Sequence, residues 1–365
     1  MPNTDVGRLD TSCRKALLIM SIGLAACSSD GPGGTASAST SCSIPRELIR
    51  DGGPGKDGIP ALSNPELVQV GGAGLEYLRD SDRVIGLTIG GETVAIPLNI
   101  LWWHEIVNLD VGGRPLAVTH CPLTGSSLAF DRAPLNGAEL GVSGLLFMNN
   151  LIMYDRRTDE SLWPQMARSA RCGPGDGTDL TMVPILEMTW AGWRALHPDT
   201  RVVSSNTGFP RNYQLYPYGN YAVIDNPALL FPVPLDDRRR PPKERVLGIP
   251  GAGTAGIAIP FGTLAQQGTV AAVSLQAGSI PVVVFWSGDA QAAMAFLPET
   301  GGSALTFEVV GDRIVDRETG STWSVAGVAI SGSLAGTRLS EIAQAYVAYW
   351  FAWVNFHPET ELWTG

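Results

Sequence analysis

The sequence predicts a mainly β fold with a few helices (an α+β class), made of two tandem, diverged copies of one unit that pack about a pseudo-twofold axis. Three observations predict it. Short β-branched runs are broken at close intervals by Gly, Pro, Asp and Asn, which is the punctuation of strands and turns rather than of long helices. Four segments recur in the same order in the two halves: VIGLTIGGETVAIPLNIL (84–101) with VLGIPGAGTAGIAIPFGTL (246–264), PLAVTHCPLTGSSLAF (115–130) with PVVVFWSGDAQAAMAF (281–296), YDRRTDESLW (154–163) with VDRETGSTW (315–323), and TWAGWRALHPDT (189–200) with YWFAWVNFHPET (349–360). Near the end of each half, tryptophans at i and i+3, Trp190/Trp193 and Trp350/Trp353, mark one face of a short helix.

In chain order, residues 1–26 read as a signal segment: Arg14 and Lys15 precede an apolar run too short to span a bilayer, and Leu24-Ala25-Ala26-Cys27 has the form of a lipobox. Cys27 is then the lipidation site, and residues 27–45, rich in Ser, Gly, Ala and Thr, are a flexible tether. The expectation is an exported lipoprotein, membrane-anchored through Cys27. Ser28 after the lipobox resembles lipoproteins sent to the outer membrane, facing the periplasm or the cell surface. Loss of residues 1–26 removes three positive and two negative charges and moves the net charge from −10 to −11. Such a field disfavours nucleic acid as a partner.

The first repeat with its N-terminal extension is expected over 46–203, a Tyr/Pro-rich connector over 204–245, and a second, degenerate repeat over 246–365. Each repeat opens with a strand pair around a Gly-Gly or Gly-Ala turn. Each helix is expected to stop at His-Pro, because proline disfavours helical backbone in the residue before it. Of the five cysteines, Cys13 leaves with the signal and Cys27 carries lipid, so Cys42, Cys121 and Cys172 remain. One pair can form a disulfide, and the sequence leaves the pairing open.

The duplication sorts the candidates, since residues that hold the fold recur and a single site need not. His197 and His357 recur and are read as helix closures. Asp155-Arg156 and Asp316-Arg317 recur as turns or ion pairs, and Trp163 and Trp323 as core. His104 falls on Gln267, His120 on Trp286 and Cys121 on Ser287. Chemistry is therefore expected in the first repeat alone. Asp131-Arg132 also lacks a counterpart, with a solvated strand end as its ordinary reading, and Arg238-Arg239-Arg240 is read as a solvated linker.

GGPGKDGIPAL (52–62), LWWHEIVN (101–108), VTHCPLTGSSLAFDR (118–132), GVSGLLFMNNLIMYDRRTDESLW (141–163) and FAWVNFHPETELW (351–363) together resemble the DUF3179 family of exported bacterial and archaeal proteins. The resemblance implies no reaction. Many members read Cys-Pro-Leu-Cys where this chain has Cys121-Pro122-Leu123-Thr124, so a CxxC redox pair or two-thiolate zinc site is not available here.

Three chemistries are then weighed. A metal site for copper or zinc, with a redox or metal-handling role, uses His104 and Cys121, completed by His120, Met153 or Glu105. Because neighbours on a strand face opposite ways, His120 and Cys121 do not easily share an ion. A cysteine-nucleophile enzyme uses Cys121 with His104 as base and the amides near Gly125-Ser126 as an oxyanion hole. Ser126 and Ser127 lack the second glycine of a G-x-S-x-G elbow. Glu105 can orient His104 or act as a base, although an exposed helix glutamate is its ordinary reading. The third reading is a non-catalytic binding or scaffold lipoprotein, in which Cys121 is a small buried hydrophobe and Tyr213, Tyr216, Tyr218 and Tyr221 either meet a glycan or envelope protein or fill the seam between repeats.

Overall fold

The alternating runs become strands wherever a turn residue lets the chain reverse. Arg83–Ile89 and Glu92–Pro97 form a hairpin across Gly90-Gly91, both at positive φ (58° and 83°). Two successive residues at positive φ are what a tight hairpin turn requires. Leu186–Thr189 adds antiparallel to the first strand, Arg201–Val203 adds parallel to the second, and Leu67–Gln69 forms the far edge. The same order occurs in the second half, where Arg245–Ile249 and Ile257–Pro260 pair, Tyr346–Tyr349 lies antiparallel to the first and Glu361–Leu362 parallel to the second. The computed structural model describes residues 42–157, 159–251 and 255–365; the signal segment, Cys27 and residues 28–41 of the tether lie outside the described residues.

Each opening hairpin runs into a seven-residue helix, α1 (Leu98–His104) or, in the second half, α3 (Phe261–Gln267), entered from a proline in extended conformation. A three-stranded meander follows each: Ile106–Val111, Arg114–Cys121 and Ser126–Asp131, and then Val270–Ala277, Ile280–Ser287 and Ala292–Phe296. The closing helices are α2 (Trp190–Leu196) and α4 (Trp350–Phe356), and both end at the histidine of His-Pro. Trp193 and Trp353 are buried against Gly86 and Gly248, and their indole N–H groups donate to Thr200 Oγ1 at 3.0 Å and Thr360 Oγ1 at 2.8 Å. Trp163 and Trp323 donate to Asp155 and Asp316 in the same way, at 2.7 and 2.9 Å. The fold is thus mainly β with four short α-helices among the described residues. No helix among them is long and apolar enough to cross a membrane.

Cys42 and Cys172 are joined by a disulfide across 130 residues, and Cys121 remains a free, buried thiol. Cys42 and Ser43, read from sequence as the end of the tether, are therefore fastened to the first half; Ser43 N–H donates to Arg171 O at 2.8 Å. Arg132 is not a solvated strand end: its buried guanidinium donates to Leu116 O and Gly137 O, while Asp131 pairs with Arg114. Of the three arginines at 238–240, Arg238 and Arg239 are exposed, Arg239 lying over the Trp350 ring, while Arg240 is half-buried and grips Glu244 with two hydrogen bonds.

Candidate functional site

The end of α1 and the end of the strand Arg114–Cys121 are tied together by one backbone bond. Glu105 follows α1 with φ 56° and ψ −30°, its N–H donating to Leu101 O at 2.8 Å and its carbonyl accepting from His120 N–H at 2.8 Å. A glutamate at positive φ is strained by about 1–3 kcal/mol, and such strain persists where surrounding structure enforces it. The expected exposed helix glutamate is thus corrected: the Glu105 side chain is buried, and burial pushes its carboxyl up to about 8, against which a donated hydrogen bond from Tyr218 acts only in part. At neutral pH the group is mostly an uncharged acid.

Cys121 sits beside it, fully buried. Its thiol donates to Asn149 O at 3.6 Å, and burial first, then the neighbouring Glu105, pushes it up to about 11. It is not a thiolate at neutral pH, and thiolate character is what nucleophilic cysteines need. Thr124, three residues after Cys121, belongs to a buried polar network. Asn150 Nδ2 donates to Thr124 Oγ1, Ser126 Oγ and Gln165 Oε1 at 3.0, 3.2 and 2.9 Å, and Gln165 Nε2 donates to Thr119 Oγ1 at 2.8 Å. A network in which each member is satisfied fixes a unique core.

His104 does not turn toward Cys121. Its Nδ1–H donates to Pro60 O at 2.7 Å and its Nε2 accepts from the Tyr213 hydroxyl at 2.7 Å, so both ring nitrogens are engaged; burial lowers it to about 4 and keeps it neutral. His120 lies on the other face of its strand, with Nδ1 3.0 Å from Ser127 Oγ, and burial lowers it to about 3. Met153 packs in the same apolar cluster as Cys121. For copper or zinc these residues do not make a donor set: no group of three or more His, Cys, Asp or Glu able to hold a metal ion is found among the described residues. The base–nucleophile pair His104/Cys121 is not assembled either.

The connector covers this region rather than presenting its tyrosines outward. Tyr213 reaches His104, Tyr216 packs edge-on to Trp102 at 5.0 Å, Tyr218 reaches Glu105, and Tyr221 donates to Leu123 O at 3.0 Å. Asn149, at positive φ in a hairpin turn, exchanges two hydrogen bonds with the backbone of Phe231, at 2.7 and 2.8 Å. Lys243 ends the strap with its ammonium donating to the carbonyls of Tyr221, Asn226 and Ala228.

Residues 56–360, spanning this strap, the buried thiol and both opening hairpins, match the family described as "Protein of unknown function (DUF3179)". The chain belongs to the DUF3179 family. No curated protein and no solved structure matches it.

The charged centre of this DUF3179 chain lies on the other side of Cys121. Glu187 is buried and accepts from Arg83 and, at 2.5 Å, from Ser127 Oγ, while Arg245 Nη1 stands 3.5 Å away. Burial opposes its charge, yet Arg83 and Arg245 hold it below the usual carboxylate range. Ser127 gives its proton to that carboxylate and is not aligned for attack through His120. Arg83 and Arg245 each begin the first strand of an opening hairpin, and the aligned segments carried this signal: an arginine stands directly before Val84 and before Val246. Glu187, inside Leu186-Glu187-Met188, was the other signal, a charge within a buried strand. Sequence reasoning ranked unmatched residues first and so passed over a pair made by matched ones. Tyr349, from the second half, completes the region; its N–H donates to Thr124 O at 2.8 Å and its ring lies against Gly125.

Proposed function

We propose that this chain is an exported, lipid-anchored envelope protein that binds a ligand without catalysis, and that its two halves are diverged copies of one unit. The observation that carries the binding reading is a cavity of about 390 Å³ lined by the first half (Arg83), the connector (Ala222, Ile224) and the second half (Arg245, Phe261, Tyr349). Cavities of this size, apolar in the main with a few placed polar groups, are the usual form of small-molecule sites. The potentially reactive groups, in contrast, are sealed and uncharged: the Cys121 thiol, the Glu105 acid, and the His104 and His120 rings.

The anchor rests on the lipobox ending at Cys27. The Cys42–Cys172 disulfide supports export, since such bonds persist in oxidising compartments. The duplication is supported by the recurring four-strand order and by Arg83 and Arg245 meeting on one carboxylate.

Two measurements test the reading. Iodoacetamide applied to the native protein is expected to leave Cys121 unmodified over hours and to label it on unfolding; rapid native labelling would revive the nucleophile reading. Metal analysis of protein purified without chelator is expected to give far less than one copper or zinc per chain, and stoichiometric metal lost in Cys121→Ser would overturn the assignment.

A further inference from the structure

The cavity between the halves has an uneven charge. Of the cations on or beside it, Arg240 is neutralised by Glu244 through bonds of 2.6 Å from both Nε and Nη2. Arg83 is bound to Glu187. Lys243 retains its charge, but its three N–H groups are spent on three backbone carbonyls and its ammonium sits 3.6 Å from the Tyr221 ring centre. Arg245 is left over. Its Nη2 donates to Gln291 Oε1 at 2.6 Å, its guanidinium lies 4.4 Å from the Phe261 ring centre, and its Nη1, with almost no accessible surface, faces Glu187 rather than the cavity. The 3.5 Å approach to Glu187 is an ion-pair contact shared with Arg83, which already holds that carboxylate.

Arg83 and Arg245 share the single charge of Glu187, so this cluster keeps one positive charge that an anion in the cavity would offset. One unmatched arginine calls for one negative charge, since a dianion would need a second free donor and Lys243 has none. Phe261, Ala265, Ile224 and Trp286, whose indole N–H is bonded to Gly268 O at 3.2 Å, give the wall an apolar part beside the polar groups of Glu244, Gln291 and Tyr349.

We propose that this cavity is an anion site that takes the carboxylate of a small, partly apolar organic acid, with Arg245 as its receptor and the Phe261/Trp286 wall against the acid's body. The inference rests on the binding reading above and names its ligand class. No covalent step is involved.

The test uses the full-length protein in detergent, with benzoate, benzamide and inorganic phosphate as probes, read by saturation-transfer NMR and calorimetry. Benzoate is expected to bind and benzamide to bind at least about tenfold more weakly, because only the carboxylate meets Arg245. Arg245→Gln is expected to lose the difference between them. Ala265→Trp, at an exposed wall position away from the buried ion cluster, is expected to abolish benzoate binding in a protein that folds normally. Equal binding of benzoate and benzamide would overturn the anion site and leave the binding reading intact. Phosphate binding without benzoate binding would overturn the organic-acid class. Benzoate binding unaffected by Ala265→Trp would overturn the location, and no binding of any probe would overturn both readings together.

Discussion

At the scale of single residues, the uncharged acid Glu105 has a consequence that stability measurements can read. Its carboxyl lies near 8 in the fold and 4.5 when unfolded. The folded state therefore holds a proton that the unfolded state has lost between those values, so the stabilisation is complete below pH 4.5 and falls as pH rises toward 8. His104, His120 and His357, lowered by burial to about 4, 3 and 4, act in the opposite sense. Their unfolded rings bind protons below and around 6.5 and their folded rings do not, so they add stability as pH rises, mostly below 6.5 and by only about 0.4 kcal/mol each above it. Lys243, lowered by burial to about 8, changes its contribution only above that value. The window from pH 6.5 to 8 thus belongs mainly to Glu105 among these groups. Urea unfolding across it is expected to show the wild type losing about 1–2 kcal/mol relative to Glu105→Gln, whose own profile keeps only the small histidine and lysine rise. An equal decline in both proteins would refute the assignment. Of this site, Cys121 and Glu105 were legible in the sequence as neighbours of an unmatched motif. Their neutrality was not, because it comes from a connector 100 residues downstream folding back over them.

At the scale of elements, each half closes by laying a helix tryptophan on a strand glycine. A Cβ built on Gly86 would lie 2.2 Å from the Trp193 ring, and one on Gly248 would lie 2.1 Å from the Trp353 ring. Both indoles are buried and held by a threonine hydroxyl, so neither can give way. Gly86→Ala and Gly248→Ala are each expected to cost about 3 kcal/mol, whereas Gly→Ala where only backbone entropy changes stabilises by about 0.4–1 kcal/mol. Thermal unfolding of the two variants decides it, and a loss below about 1 kcal/mol in either would show that the helix can slide. This arrangement was readable in part. The i, i+3 tryptophans announced the helices and Gly-Gly announced the hairpin, since both depend on neighbours in sequence. The parallel addition of Arg201–Val203 and Glu361–Leu362 was not readable, because a three-residue or two-residue strand carries almost no pattern and is fixed by the sheet it joins.

At the scale of the molecule, the halves share one interior. The apolar cluster around Cys121, Phe130, Met153 and Trp163 continues into Val246, Tyr346, Tyr349 and Phe351 without a break. Repeat units that cannot bury their hydrophobic faces alone rely on their neighbour for stability. The two arginines that meet on Glu187 make the same point electrostatically: Arg83 and its carboxylate come from the first half and Arg245 from the second. Removing the second half would bare the Trp163 and Phe130 side of the core and strip the strap of its anchor at Asn355, which exchanges hydrogen bonds of 2.9 and 3.0 Å with the Leu235 backbone. Residues 42–244 expressed alone are therefore expected to lack a cooperative unfolding transition and to bind a hydrophobic dye, while the whole chain unfolds in one step by fluorescence and by circular dichroism. A sharp, reversible transition in the isolated first half would mean that the shared core is a late contact between two self-sufficient domains. The cavity at their junction would then be an interface rather than a site built into the fold.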